Sequence, residues 1–228
     1  MKECPILFQT EMVRAIMWSA KTVTRRTGGL EEVNSAPDEY ILCNEGVNRF
    51  GNYGASFQHK TDRKKDILTF CHYGETGDIL YIRETYKKIG DEIVFKADQL
   101  QIGTPAKEAD KWKPSLFMPK EIAKRWLKIV DINIERLHQI SDADAVCEGI
   151  CVLNGTPFID KHFPDYTEAV KKWCDGPANG QPPHLPPPRD RFRALWESIN
   201  GRDSWEINPW VWRIEFERLY MSGKPKNA

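Results

Sequence analysis

The chain is predicted to be an α+β protein, a small mixed β-barrel with helices packed on its openings. Three observations lead there. Short β-type runs outnumber helical stretches, and the elements follow the order strand, helix, strand, several strands, helix, strand. The helices are too few to cover both faces of a parallel sheet, which disfavours a doubly wound fold. Of the 228 residues 40% are hydrophobic, and eight tryptophans and ten phenylalanines supply material for a real core. Residues 1–220 are therefore expected to form one domain with insertions, followed by a flexible tail at 221–228.

Residues 6–8 form a first short β-type run. Residues 10–19 read as a helix, with Met12, Ala15, Ile16 and Trp18 on an apolar side. Residues 22–26 alternate as a strand. Residues 27–65 change character: Gly28, Gly29, Gly46, Gly51 and Gly54 fall among several asparagines with little periodicity, which reads as a long irregular insertion. Gly77-Asp78 is a turn signal before the β-rich run Ile79-Leu80-Tyr81-Ile82-Arg83, and residues 93–95 make another short strand. Residues 119–126 hold one or two helical turns, opened by Pro119, whose missing N–H costs nothing at that position. Residues 127–137 alternate as the longest strand. Ser141-Asp142-Ala143-Asp144 resembles a capping box, so a helix is expected over 142–148, stopped by Gly149. A further helix is expected at 164–174, and the six prolines of 176–189 mark a surface linker. Residues 191–199 place Phe192, Leu195, Trp196 and Ile199 on one helical face, and residues 209–216 close the domain as a strand.

Lys plus Arg equals Asp plus Glu at 33 each, so the formal net charge is zero, which speaks against a non-specific nucleic-acid coat. Contact with nucleic acid would need a local patch. One lies between 111 and 128, where Lys111, Lys113, Lys120, Lys124, Arg125 and Lys128 face the single acid Glu121. No apolar run approaches the length of a membrane span and the N-terminus lacks a signal-peptide core, so no membrane partner and a cytoplasmic location are expected. The six cysteines form no Cys-x-x-Cys pair and read as free thiols. Cys147, Cys151, His162 and Cys174 match no metal-ligand spacing, and neither a metal nor another cofactor is expected.

The segment Lys21-Thr22-Val23-Thr24-Arg25-Arg26 carries the chemistry. A lysine beside a threonine can bind an anion, or activate the hydroxyl if its own pKa is lowered. Glu148 is the second candidate: it sits in the last turn of its helix, where the helix dipole opposes a carboxylate. An exposed position in that final turn would make its replacement harmless to the fold. Arg83-Glu84, at the end of a β-rich run, is a further charged pair near a strand terminus.

Together these pieces resemble the ASCH family, whose barrel is similar to that of PUA RNA-binding domains. The resemblance rests on Lys21-Thr22-Val23-Thr24-Arg25-Arg26, on Gly77-Asp78 through Arg83-Glu84, on the strand ending at Leu137, on Ile140 through Gly149, and on Trp210-Val211-Trp212-Arg213-Ile214-Glu215-Phe216. The tract Lys113-Pro114-Ser115-Leu116-Phe117-Met118-Pro119 and the ending Asn208-Pro209-Trp210-Val211-Trp212 are similar to a phage and prophage subgroup. Insertions at about 27–74 and 151–188 lie outside the resemblance. It implies a PUA-like barrel and a ligand that is a nucleobase, nucleoside or RNA. One branch of the family hydrolyses N4-acetylcytidine with a lysine, a threonine and a glutamate at positions matching Lys21, Thr24 and Glu148. Arg25, Arg26, Arg83, Glu84, Lys113 and Ser115 are then expected to contact ligand.

In that reaction Thr24 would attack an amide carbonyl. A neutral Lys21, its pKa lowered by Arg25 and Arg26, would take the proton, and Glu148 would orient Lys21 or protonate the leaving amine. Lys21 and Thr24 are three residues apart and would point to opposite faces of a flat strand, so the chain must bend at Lys21. Two readings without catalysis stay open: a binding module for RNA or a nucleotide, and a structural or assembly protein of a phage particle with the aromatics as interface.

Overall fold

The computed structural model describes residues 1–99, 111–150, 168 and 183–223. In chain order these form β1 (Glu3–Leu7), α1 (Thr10–Met17), β2 (Val23–Arg26), α2 (Glu31–Asn34), β3 (Tyr40–Val47), β4 (Tyr53–His59) and β5 (Ile67–Phe70). They continue with β6 (Ile79–Arg83), β7 (Tyr86–Ile89), β8 (Glu92–Phe95), β9 (Trp126–Arg136), α3 (Asp142–Cys147), α4 (Pro188–Asn200) and β10 (Trp210–Tyr220). The expected helix at 164–174 lies outside the described residues, Glu168 apart, as does the tail beyond 223.

The mixed α+β class is observed, but the sheets are not closed into a barrel. The main sheet has the order β1-β6-β9-β10-β2, parallel only between β1 and β6. Its outer strands β1 and β2 share no backbone ladder. A side chain spans them instead: Arg26 Nη2 donates to the carbonyl of Leu7 at 2.7 Å. β10 lies inside the sheet between β9 and β2, and Trp212 and Ile214 are fully buried there.

The segment read as an irregular insertion is mostly ordered structure. α2 is followed by a three-stranded antiparallel sheet, β3-β4-β5. Tyr53, Ala55 and Phe57 alternate along β4 and are buried; Phe57 meets Trp210 edge-on with ring centroids 5.0 Å apart, and Tyr53 meets Trp212 at 6.0 Å. Two features hid this from the sequence. Gly54 breaks the side-chain alternation along β4, and the β3–β4 register slips between Leu42 and Asn44. The segment completes the core. A second hairpin, β7–β8, was read only at its second strand; it turns on Gly90-Asp91, with Gly90 at φ 60°.

α4 begins at Pro188, inside the stretch expected to be linker, because proline is well suited to the first helical position. Phe192, Leu195 and Trp196 are buried as expected, whereas Ile199 is exposed. Half of the capping box is present at α3: Ser141 Oγ accepts from the Asp144 amide at 3.1 Å, while the Asp144 carboxylate accepts from the Ser141 hydroxyl at 2.9 Å.

The end of α1 sets up the site. Ser19 takes a left-handed conformation (φ 60°), its amide bonds to Ile16 O and the Ala20 amide to Ala15 O, which is a Schellman turn built without glycine. The turn aims the chain at Lys21 before β2 starts.

Candidate functional site

Lys21 stands just outside β2, in an isolated antiparallel bridge with Glu148, and the Thr22 amide donates to Cys147 O at 2.9 Å. The C-terminal end of α3 therefore docks on the start of β2. Gly149 permits this: at φ 86°, a Cβ there would come within 2.9 Å of both Ala15 Cβ and Lys21 Cβ. Because Lys21 precedes the regular strand, the strand alternation that would send Lys21 and Thr24 to opposite faces does not apply.

Lys21, Thr24, Arg25, Arg26 and Glu148 line one cavity of about 200 Å³. Phe8 and Met12 form part of its wall, together with Tyr73 and the α4 residues Phe192, Leu195 and Trp196. Lys21 Nζ donates to Glu148 Oε2 at 2.5 Å, to Val23 O at 2.8 Å and to Glu148 O at 3.0 Å. Arg25 Nη1 reaches Glu148 Oε1 at 3.2 Å while its Nε donates to Glu135 at 2.6 Å. Glu148 is only 3% exposed. The expectation that it is a dispensable exposed carboxylate is thus wrong: two cations overcome the helix-end dipole and hold it inside.

Burial lowers the Lys21 pKa against the opposing pull of Glu148, and the neighbouring Arg26 and Arg25 add smaller contributions in the same direction. Desolvation, rather than like charge, is the main cause.

On residues that line the cavity, three buried N–H groups have no hydrogen-bond acceptor among the described residues: Arg25 Nη2, Arg26 Nε and Trp196 Nε1. Arg25 Nη2 lies 3.7 Å from Asp144 Oδ2, an ion-pair distance. Arg26 stacks its guanidinium 4.9 Å from the centre of the Phe8 ring and, among the described residues, forms no ion pair with a carboxylate. Burial lowers its pKa as well. Unsatisfied buried donors each cost about 1–3 kcal/mol, so their clustering on one cavity is informative.

Arg83, Glu84, Lys113 and Ser115 do not line this cavity. Arg83 Nε donates to Met118 O at 3.0 Å and its Nη2 to Leu116 O, fastening the 113–118 segment to β6. Lys113 pairs with Tyr86 of β7 through both backbone bonds, and Ser115 opens a 3₁₀ turn. Glu84 is buried beside Arg125, which also bonds Asp98. Their strand-end position marks Arg83 and Glu84 in the sequence, but Arg83 fastens the 113–118 segment and Glu84 belongs to the buried Arg125 cluster. Conversely, Tyr73 carried no signal in the sequence, and Trp196 read as ordinary core.

Burial pushes the Glu84 pKa from 4.5 up to about 7, despite Arg125. A folded-state pKa above the unfolded one means that the native state holds the extra proton, so stability is lost as pH rises between 4.5 and about 7. The loss is on the order of 3 kcal/mol. Urea titrations at pH 5 and pH 8 should show this decline, and Glu84→Gln should flatten it. An unchanged decline in that variant would remove Glu84 as its source.

No protein-family model matches the chain, and neither a curated protein nor a solved structure matches it.

Proposed function

We propose that this chain is a PUA-like protein of the ASCH type that takes a nucleobase or nucleoside into the Lys21–Thr24–Glu148 cavity and hydrolyses an amide carried by the base. The observation that carries this reading is that Arg25, Arg26 and Trp196, which line an aromatic-walled cavity, each keep a buried N–H donor without an acceptor among the described residues. Such a site favours a flat ligand with several carbonyl or ring-nitrogen acceptors, because the ligand would satisfy donors that the protein leaves unpaired. At about 200 Å³ the cavity is below the usual ~300–1,000 Å³ of drug-sized sites, which suits a single base rather than a length of polymer.

The chemistry follows from the lysine–glutamate contact. Lys21, whose pKa is lowered by its burial, passes one proton to Glu148 across the 2.5 Å hydrogen bond. Neutral Lys21 then accepts the Thr24 hydroxyl proton as Thr24 Oγ1 adds to the amide carbonyl. The developing oxyanion takes a hydrogen bond from an unpartnered donor, Arg26 Nε or Trp196 Nε1. Glu148 returns its proton to the leaving amine. Lys21 again passes its proton to Glu148 and, neutral once more, deprotonates a water that adds to the acyl-threonine ester; the proton on Glu148 goes to Thr24 Oγ1 as a carboxylic acid is released.

A second reading, a binding module without turnover, is favoured by one observation: all three N–H bonds of the Lys21 ammonium are occupied, as in a purely structural ion pair. Incubation with N4-acetylcytidine separates the two. Release of cytidine and acetate supports hydrolysis. Saturable binding without release selects the binding module, and neither result leaves the base-binding reading without support.

A further inference from the structure

The charges around the cavity do not balance. Lys21, Arg25 and Arg26 bring three cations to it, and among the described residues Glu148 is the one carboxylate that lines it. Lys21 and Arg25 share Glu148, and Arg25 has Glu135 as well. Arg26 donates through Nη2 to Leu7 O at 2.7 Å and rests its guanidinium on the Phe8 ring, with no carboxylate at ion-pair distance among the described residues. Its Nε is enclosed without an acceptor. A cation held away from water is costly unless a negative group meets it. The described residues do not provide that group, so a ligand that does gains an interaction that a neutral ligand cannot make.

A second donor opens into the same cavity. Tyr73 lines it, and the Tyr73 hydroxyl makes no hydrogen bond among the described residues. Gly28, also in the wall, leaves that hydroxyl uncovered, because an added Cβ would come within 3.2 Å of it. Position along β2 then decides where the negative group belongs on the ligand. Thr24 and Arg26 are two residues apart on one strand, so their side chains leave the same face, roughly 6–7 Å apart. A ligand group at Arg26 is therefore a few atoms from the carbonyl that Thr24 attacks. A ribose phosphate is too distant, since the sugar and the amide nitrogen stand at opposite ends of the pyrimidine ring and the cavity of about 200 Å³ suits a single base. The acyl side of the amide is the near side.

From the unmatched charge and this spacing we infer that the substrate is an anion, an amide whose acyl chain of about four carbons ends in a carboxylate held by Arg26 and Tyr73. The inference rests on the amide-hydrolysis reading above. With Arg26 on the carboxylate, Trp196 Nε1 is the donor left for the oxyanion. Water adds across the amide as before, and the products are the nucleoside amine and a dicarboxylic acid.

The test compares N4-succinylcytidine, its uncharged carboxamide analogue and N4-acetylcytidine as substrates, by release of cytidine. The wild-type protein should hydrolyse the succinyl compound with a kcat/KM about ten- to a hundredfold above that of the carboxamide, the usual worth of a hydrogen bond to a charged group. Arg26→Gln should bring that ratio close to one, and Arg26→Lys, which keeps the charge, should retain part of it. Tyr73→Phe should lower the ratio a few-fold, and it carries the test should circular dichroism show Arg26→Gln unfolded. Equal rates on the succinyl and carboxamide compounds, or the wild-type ratio in folded Arg26→Gln, overturn the inference while hydrolysis of the acetyl compound keeps the reading beneath it. An equal gain for N4-acetylcytidine 5′-monophosphate that also needs Arg26 would place the negative group on the sugar and overturn the acyl assignment. If none of these compounds is hydrolysed, the amide-hydrolysis reading falls, and calorimetry decides the rest: binding of the succinyl compound about tenfold tighter than the carboxamide keeps the carboxylate site, and equal or absent binding removes it.

Discussion

Replacing Glu148 by alanine should lower the unfolding free energy by about 3–5 kcal/mol, because Lys21 and Arg25 would be left as buried cations without their shared carboxylate. That is a large part of the ~5–15 kcal/mol that a domain usually has. The carboxylate is 3% exposed and both of its oxygens are bonded, one at 2.5 Å and one at 3.2 Å, so water can replace little of what is removed. Substituting both partners, Lys21→Met with Glu148→Leu, should recover most of the loss, since a buried pair can be exchanged for apolar side chains at small net cost. Urea denaturation of the single and double variants measures this. A loss below about 1 kcal/mol for Glu148→Ala would mean that solvent screens the pair as it does on a surface.

The largest effect on activity is expected at Thr24. On N4-acetylcytidine, Thr24→Ala should reduce turnover by on the order of four to six powers of ten, as when a nucleophile is deleted from an acyl-transfer site. Lys21→Arg should reduce it by at least about two powers of ten, because guanidinium keeps the positive charge but cannot accept the hydroxyl proton. In a binding module the same Lys21→Arg change would be tolerated, provided that circular dichroism shows the variant folded. Acetate release followed over time, with thermal melts as controls, distinguishes these outcomes. Full hydrolysis by folded Lys21→Arg would eliminate Lys21 as the base.

Local signals in the sequence were legible where each element is decided by its own residues. The Ser141 cap, the Gly149 stop, the long alternation of β9 and the aromatic strand β10 all follow from period and capping chemistry. What depends on distant partners was not legible. β4 is defined by burial against Trp210 and Trp212, which lie more than a hundred residues away in sequence, and its glycine masked the alternation. Closure into a barrel depended on whether β1 and β2 would pair, and between them lies a side-chain bridge rather than a ladder.

The same division holds at the site. Lys21, Thr24 and Glu148 came together through a family resemblance, since nothing in their spacing reports the docking of α3 on β2. The burial of Glu148 was missed because a helix-end carboxylate usually meets water. Arg83, Glu84, Lys113 and Ser115 belong to the neighbouring 113–118 segment and the buried Arg125 cluster instead. Trp196 has the same helical spacing as a core residue, and only its unpartnered indole N–H sets it apart.

A crystal structure of Thr24→Ala with N4-acetylcytidine tests the central claim most directly. The account predicts the base in the cavity between Phe8 and Trp196, an acceptor of the ligand on Trp196 Nε1 or Arg26 Nε, and the acyl carbon about 3–3.5 Å from where the Thr24 hydroxyl would stand. An empty cavity at saturating ligand, or a ligand bound only outside it, would contradict the account.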